Sequence, residues 1–211
     1  MGQIDNAVRH VLRTKFILGL FEDPYIDVSQ VAKLTRNQAS LDLALQLDRE
    51  SVILLKNDNN TLPLDKSKLK KLALVGPLLD DDTVEHFQRV LGDKVKIYAE
   101  KGFKLTGEQE QIPELLSRKD QDKGFKKIIR TAKKADVVIA FVGGDHFTAK
   151  EGFFNGSYGD RATIEPVGPQ DELIKKLKKM GKTVVVALKH RRTLAINTFS
   201  EEADALSLIH I

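Results

Sequence analysis

Residues Ala135 to Gln170 read ADVVIAFVGGDHFTAKEGFFNGSYGDRATIEPVGPQ. The stretch opens on Val137–Val142, a run of apolar and mostly β-branched residues with no polar residue between them. A strand with one face in water alternates; a run that does not alternate predicts a strand covered on both faces, as in the parallel sheets of α/β domains. Gly143–Gly144 ends the run, and the next helical pattern starts only at Gln170. Connections in compact domains usually take about 4–6 residues, so this much longer one calls for a functional explanation. It is polar without being of low complexity: Asp145, His146, Glu151, Asp160 and Arg161 are interleaved with Phe147, Phe153, Phe154 and Tyr158. On the carboxyl edge of an α/β sheet, that mixture suits a substrate-facing loop.

Working outward, the same type of strand returns at Thr183–Leu188 (TVVVAL), after a helix over Gln170–Met180 whose apolar stripe is Leu173, Ile174 and Leu177 and whose stop is Gly181. On the amino-terminal side, Ser51–Leu55 (SVILL), Leu72–Val75 and Val95–Tyr98 read as strands, the first of them short and buried. Thr83–Leu91 and Phe125–Lys134 read as helices, and Gly102–Gln121 as a polar excursion between elements. Strands of about five residues alternating with helices predict an α/β fold, an open, mainly parallel sheet with helices on both faces, that is, an αβα sandwich. Ala203–Ile211 (ADALSLIHI) begins a further apolar element at the end of the sequence, which predicts a sheet edge that either another part of the protein covers or truncation of the domain leaves unfinished.

Before this domain come two helical patterns, Ile4–Leu18 and Asn37–Arg49, the first stopped by Gly19 and by Pro24 in FEDPY. The expected organisation is therefore residues 1–25 as the end of a preceding domain, 26–50 as a linker and entry helix, and 51–211 as the main domain.

Composition narrows the function classes. A chain of 211 residues, 41% hydrophobic and 30% charged, has the makeup of a water-soluble domain with a sizeable core. It contains no cysteine, which removes disulfides, thiolate metal ligands and cysteine nucleophiles. No run approaches the roughly 20 apolar residues of a membrane span. The net charge of +4 comes mainly from lysines on helix faces, without the arginines and stacking aromatics of a nucleic-acid site. The histidines have no partners at zinc spacing, and the segment after Gly143–Gly144 lacks the remainder of a dinucleotide-binding glycine pattern. No cofactor and no metal is expected. Asp80–Asp82 reads as a helix cap more than as a cation site, since three adjacent carboxylates point in different directions.

Glu151, close to Asp160 and Arg161 and flanked by Phe153 and Phe154, suits sugar chemistry. Glycoside hydrolysis needs one carboxylic acid to protonate the leaving oxygen and a second carboxylate across the anomeric carbon. Burial against phenyl rings raises a carboxyl pKa toward the acid role, and Lys150 next to it pulls the other way. His146 is a candidate for contact with a ligand hydroxyl, and Asp160–Arg161 for an ion pair that pins the loop.

Four segments resemble glycoside hydrolase family 3, the β-glucosidase and β-xylosidase type: Ile4–Tyr25, Ala44–Leu64 with SVILLKNDNNTLPL, KLALVGPLLDD at Lys71–Asp81, and GGDHFTAKEGFFNGSYGDRATIEPVGPQDELI at Gly143–Ile174. The resemblance implies that residues 1–25 end a (β/α)8-type barrel and that 51–211 form the C-terminal αβα sandwich. It implies a retaining exo-glycosidase in which a barrel aspartate, absent from this chain, is the nucleophile. Glu151, matching the glutamate-glycine pattern before GDR, is then the general acid/base. Asp145, His146, Phe153, Asp160 and Arg161 become loop-supporting or substrate-proximal residues. The implied partners are a β-linked oligosaccharide or an aryl or alkyl β-glycoside and the barrel domain of the same polypeptide, with β-D-glucosyl favoured over β-D-xylosyl substrates and no compartment fixed. Without the nucleophile, these 211 residues alone are expected to be inactive. Lys189–Thr193 (KHRRT) and EPVGPQ depart from the family's usual local sequences, and Lys189–His190 is not the substrate-binding Lys-His pair of the barrel. The competing expectation is a non-catalytic carbohydrate-binding or interdomain module, which would tolerate Gln at position 151.

Overall fold

The computed structural model describes residues 2–107, 115–145, 147–148, 153–154, 157–158, 161 and 163–210. The chain divides into two compact units, Met1–Arg49 and Glu50–Ile211. The first holds α1 (Gly2–Ile17), α2 (Val31–Leu34) and α3 (Gln38–Ser51). Gly19, at φ 67°, lets the chain turn off the end of α1. The Asn37 side chain accepts from the Ser40 N–H at 2.9 Å, capping α3.

The second unit contains β1 (Ile53–Asn57), β2 (Lys71–Val75), α4 (Asp81–Leu91), β3 (Lys96–Glu100), α5 (Arg118–Ala132), β4 (Val137–Gly143), the two-residue strands β5 (Phe153–Phe154) and β6 (Ser157–Tyr158), α6 (Gln170–Lys179), β7 (Thr183–His190), α7 (Asn197–Glu202) and β8 (Ala205–His210). Six strands form one sheet in the order β3-β2-β4-β7-β8-β1. Every neighbouring pair is parallel except β1 with β8. β5 and β6 pair separately with each other, antiparallel.

The pleat sends alternate residues to opposite cores. Ala73, Val75, Val138, Ala140, Val142 and Val186 pack with Ile128 of α5, Ile174 and Leu177 of α6 and Phe199 of α7. Leu72, Leu74, Ile139, Phe141 and Val185 face the other way, toward Phe87 and Leu91 of α4 and the Leu62–Leu69 connection. Each valine, leucine, isoleucine or phenylalanine among them contributes about 1.5–3 kcal/mol when fully buried, so both faces of the central strands drive the fold. This is the open, mainly parallel αβα arrangement that the unalternating runs predict. Asp204 braces it: its carboxylate accepts from Lys178 Nζ of α6 at 2.7 Å and from the Val184 N–H of β7 at 2.7 Å, while its carbonyl accepts from the Asp58 N–H at 2.8 Å.

Two local expectations need correction, and a third resolves. β1 is not a buried strand: it sits two residues further on than SVILL, at the sheet edge, and Ile53, Leu54 and Leu55 are about half exposed. Apolar composition selects a strand but does not choose its place in the sheet. Of the two outcomes expected for the edge at β8, coverage is the one observed: β1 lies antiparallel alongside it, with Ile53 opposite Leu208 and Asn57 opposite Ala205. α5 begins seven residues before Phe125. Ser117 caps it through the Asp120 N–H, and its first two turns carry only Gln121 as a buried residue, so the apolar period is silent there.

Candidate functional site

The chain runs from β2 to β3 on one side and then crosses to β4 on the other. The carboxyl ends of β2 and β4 thus flank the switch point at which open α/β sheets hold ligands. The strand ends are pressed together there. A Cβ on Gly76 would stand 2.3 Å from the Phe141 carbonyl oxygen, and one on Gly143 only 2.0 Å from that of Lys189, and both glycines have φ beyond +120°. The Gly144 N–H donates to the Lys189 carbonyl at 2.9 Å, so the long connection leaves β4 while still attached to β7.

Gln170, at the start of α6, closes the other end of that connection. Fully buried, it accepts from the Gly143 N–H at 2.7 Å and donates to the carbonyls of Gly143 and Val167 at 2.8 Å each. Asp145 folds the first turn beyond β4: its Oδ1 accepts from the N–H groups of Phe147 at 3.0 Å and Thr148 at 2.9 Å, and its own N–H donates to Thr148 Oγ1 at 2.9 Å. Thr148 is buried by this turn.

Asp80 faces this turn across the switch point. It is the N-cap of α4, as the sequence predicts, accepting from the Thr83 N–H at 2.6 Å, and its second oxygen takes Lys189 Nζ at 2.9 Å. Partial burial works against the ionised form, but the hydrogen bonds from Thr83 and Lys189 overcome it and hold the Asp80 carboxyl down at about 2. Its neighbour Asp81 pairs with Lys101 at 2.8 Å. Among the described residues no three histidine or carboxylate side chains converge as a metal site would require.

Two hollows open at this edge. One of about 310 Å³ is lined by Pro77, Leu79, Asp80, Asp145, Lys189 and Arg191. The second, about 80 Å³, lies against Thr148, Arg161, Ile164, His190, Arg192 and Leu194. The larger falls at the lower end of the roughly 300–1,000 Å³ typical of small-molecule sites and offers charges of both signs.

Of the residues singled out in the sequence, Asp145 and Arg161 stand at this edge, the latter with its guanidinium donating to the Glu165 carbonyl. His146, Glu151 and Asp160 lie outside the described residues, as therefore does the expected Asp160–Arg161 pair. For Phe153 only the backbone is described, paired with Tyr158. Sequence reasoning passed over Gln170 and Lys189. Gln170 did carry a signal: it stands three and four residues before Leu173 and Ile174, on the buried stripe of α6, where a polar side chain must find partners. Nothing local announces Lys189, whose partner is 109 residues away.

Residues 52–210 match the family model described as the glycosyl hydrolase family 3 C-terminal domain. Among curated proteins, one from Formosa agariphila with a provisional β-xylosidase name is 57% identical over 203 residues, covering 96% of this chain and 27% of that protein. A periplasmic β-glucosidase of Salmonella typhimurium is 32% identical over 98% of this chain and 30% of its own length. Among solved structures, a β-glucosidase from Erythrobacter marinus superposes with a TM-score of 0.79 at 26% identity, over 90% of this chain and 29% of that one. The Listeria innocua β-glucosidase in complex with isofagomine gives 0.70 at 27% identity, over 97% and 28%. The chain thus spans less than a third of each of these relatives.

Proposed function

The chain belongs to glycosyl hydrolase family 3, whose C-terminal domain it contains, and from that premise we propose that the full-length protein is a retaining exo-acting β-glycosidase to which this domain contributes the general acid/base. Its substrates are terminal β-D-glucosyl or β-D-xylosyl residues. The observation that carries the reading is the 57% identity over 203 residues to a protein with a β-xylosidase name, and it favours the xyloside over the glucoside that the sequence segments alone suggested. In the domain arrangement this reading requires, residues 1–25 end a (β/α)8-type barrel, 26–50 lead across, and 51–211 place the loop of Glu151 over a sugar bound in the barrel.

Chemically, Glu151 protonates the glycosidic oxygen while a barrel aspartate attacks the anomeric carbon. It then takes a proton from the water that releases the sugar. In this reading Asp160 and Arg161 steady the loop with Asp145, and His146 and Phe153 are the residues assigned to substrate contact. The test is hydrolysis of aryl β-xylosides and β-glucosides by the full-length protein and its Glu151→Ala variant, with azide added. A loss on the order of 10²–10⁴-fold on poor leaving groups, with β-glycosyl azide formed by the variant, is the expected result. Near-full activity of the variant on a poor leaving group would remove the acid/base assignment.

A further inference from the structure

Gln170 makes three of the four hydrogen bonds open to its carboxamide. Oε1 accepts from the Gly143 N–H, and Nε2 gives its two hydrogens to the carbonyls of Gly143 and Val167. One buried side chain therefore fixes both the donor and the acceptor of the last residue of β4 and ties them to the point where the long connection re-enters α6. The surroundings make this bond set hard to replace. Gly143 stands at φ 130° against the Lys189 carbonyl, so its peptide cannot take a side-chain-bearing residue without moving β7.

We propose that Gln170 is a positioning residue for the acid/base chemistry: by fixing the orientation of the Gly143 peptide, it sets the direction in which the chain leaves β4 toward Glu151. The proposal rests on the assignment of Glu151 made above. A misplacement of about 1 Å far from the reacting atoms can cost on the order of 10²-fold in rate, which is the scale at stake for an acid/base carried on a loop.

The test uses the full-length protein and a series of aryl β-xylosides and β-glucosides with leaving groups from good to poor. Gln170→Met fills the same space and leaves three backbone groups without partners. Gln170→Glu keeps the shape, and burial among carbonyls keeps it neutral, so it retains one donor and one acceptor. If Gln170 positions the acid, Gln170→Met lowers kcat/KM on the poorest leaving group by on the order of 10²-fold and on the best by less than about threefold. Gln170→Glu then recovers most of the loss, and Gln170→Met adds nothing in a Glu151→Ala background. An equal loss on every leaving group, additive with Glu151→Ala, overturns the proposal and leaves Gln170 as a brace of the fold. Should Gln170→Met fail to fold, Gln170→Asn, whose carboxamide is one methylene too short to hold all three partners, is measured on the same series and decides by the same criterion. A Glu151→Ala variant with no leaving-group dependence would instead bring down the acid/base assignment, and with it this proposal.

Discussion

β4 and β1 both open on an apolar run, VVIAFV in the one and ILL in the other, yet one lies at the centre of the sheet and the other at its rim. Val138 and Ile139 are 0% and 7% exposed, whereas Ile53 and Leu54 are 45% and 53% exposed. β4 has parallel neighbours on both sides and a core on each face, while β1 has a single antiparallel neighbour. The difference teaches that an apolar run states the conformation of a segment and that its energetic weight is decided by what lies on either side of it.

Substitutions can sharpen the contrast or break it. Val138→Asp should cost more than about 4 kcal/mol and abolish the cooperative urea transition, because a carboxylate with no partner would enter the core shared with α5 and α6. Gly143→Ala, at the carboxyl end of the same strand, should cost about 3 kcal/mol, since its Cβ would overlap the Lys189 carbonyl in a backbone conformation that side chains resist. The same chemical change at two places gives the direct comparison. Ile139→Ala is expected to cost about 2–5 kcal/mol, and Ile53→Ala about 1 kcal/mol from the smaller area removed from water. Equal losses at the two isoleucines would mean that the edge carries as much of the fold as the centre.

The smallest effect concerns pH. The Asp80 carboxyl, held at about 2 in the folded chain against 3.8 ordinarily, adds stability that is complete above pH 4 and is lost as the pH falls toward 2. Because that carboxylate is about half exposed, the contribution should stay below about 1 kcal/mol. Urea midpoints of the wild type and Asp80→Asn should differ at pH 5 and converge near pH 2.

Strand type, helix order and the two-faced sheet were legible because each follows from a local pattern: no alternation in Val137–Val142, a stripe at Leu173, Ile174 and Leu177, a capping aspartate at Asp80. The positions of β1 and β8 were not, since each takes its edge or interior character from the other, far along the chain. For the same reason Asp145 could be named as part of the loop while its function as the closing residue of a turn with Thr148 could not. The general acid/base assignment came from the resemblance of a whole segment, since a single glutamate between lysine and glycine has no distinguishing physics of its own. Gln170 lay within reach, for a glutamine on an apolar stripe asks where its amide goes; the answer needs β4 beside it.

The pairing of β1 with β8 also has a consequence in time. On the ribosome, Asn57 emerges roughly 150 residues before its partner Ala205, which at about 5–20 residues per second is a wait of roughly 7–30 s. For that interval Val52–Leu55 is an apolar segment with no strand to join, so the nascent domain must shield β1 until β8 has been made.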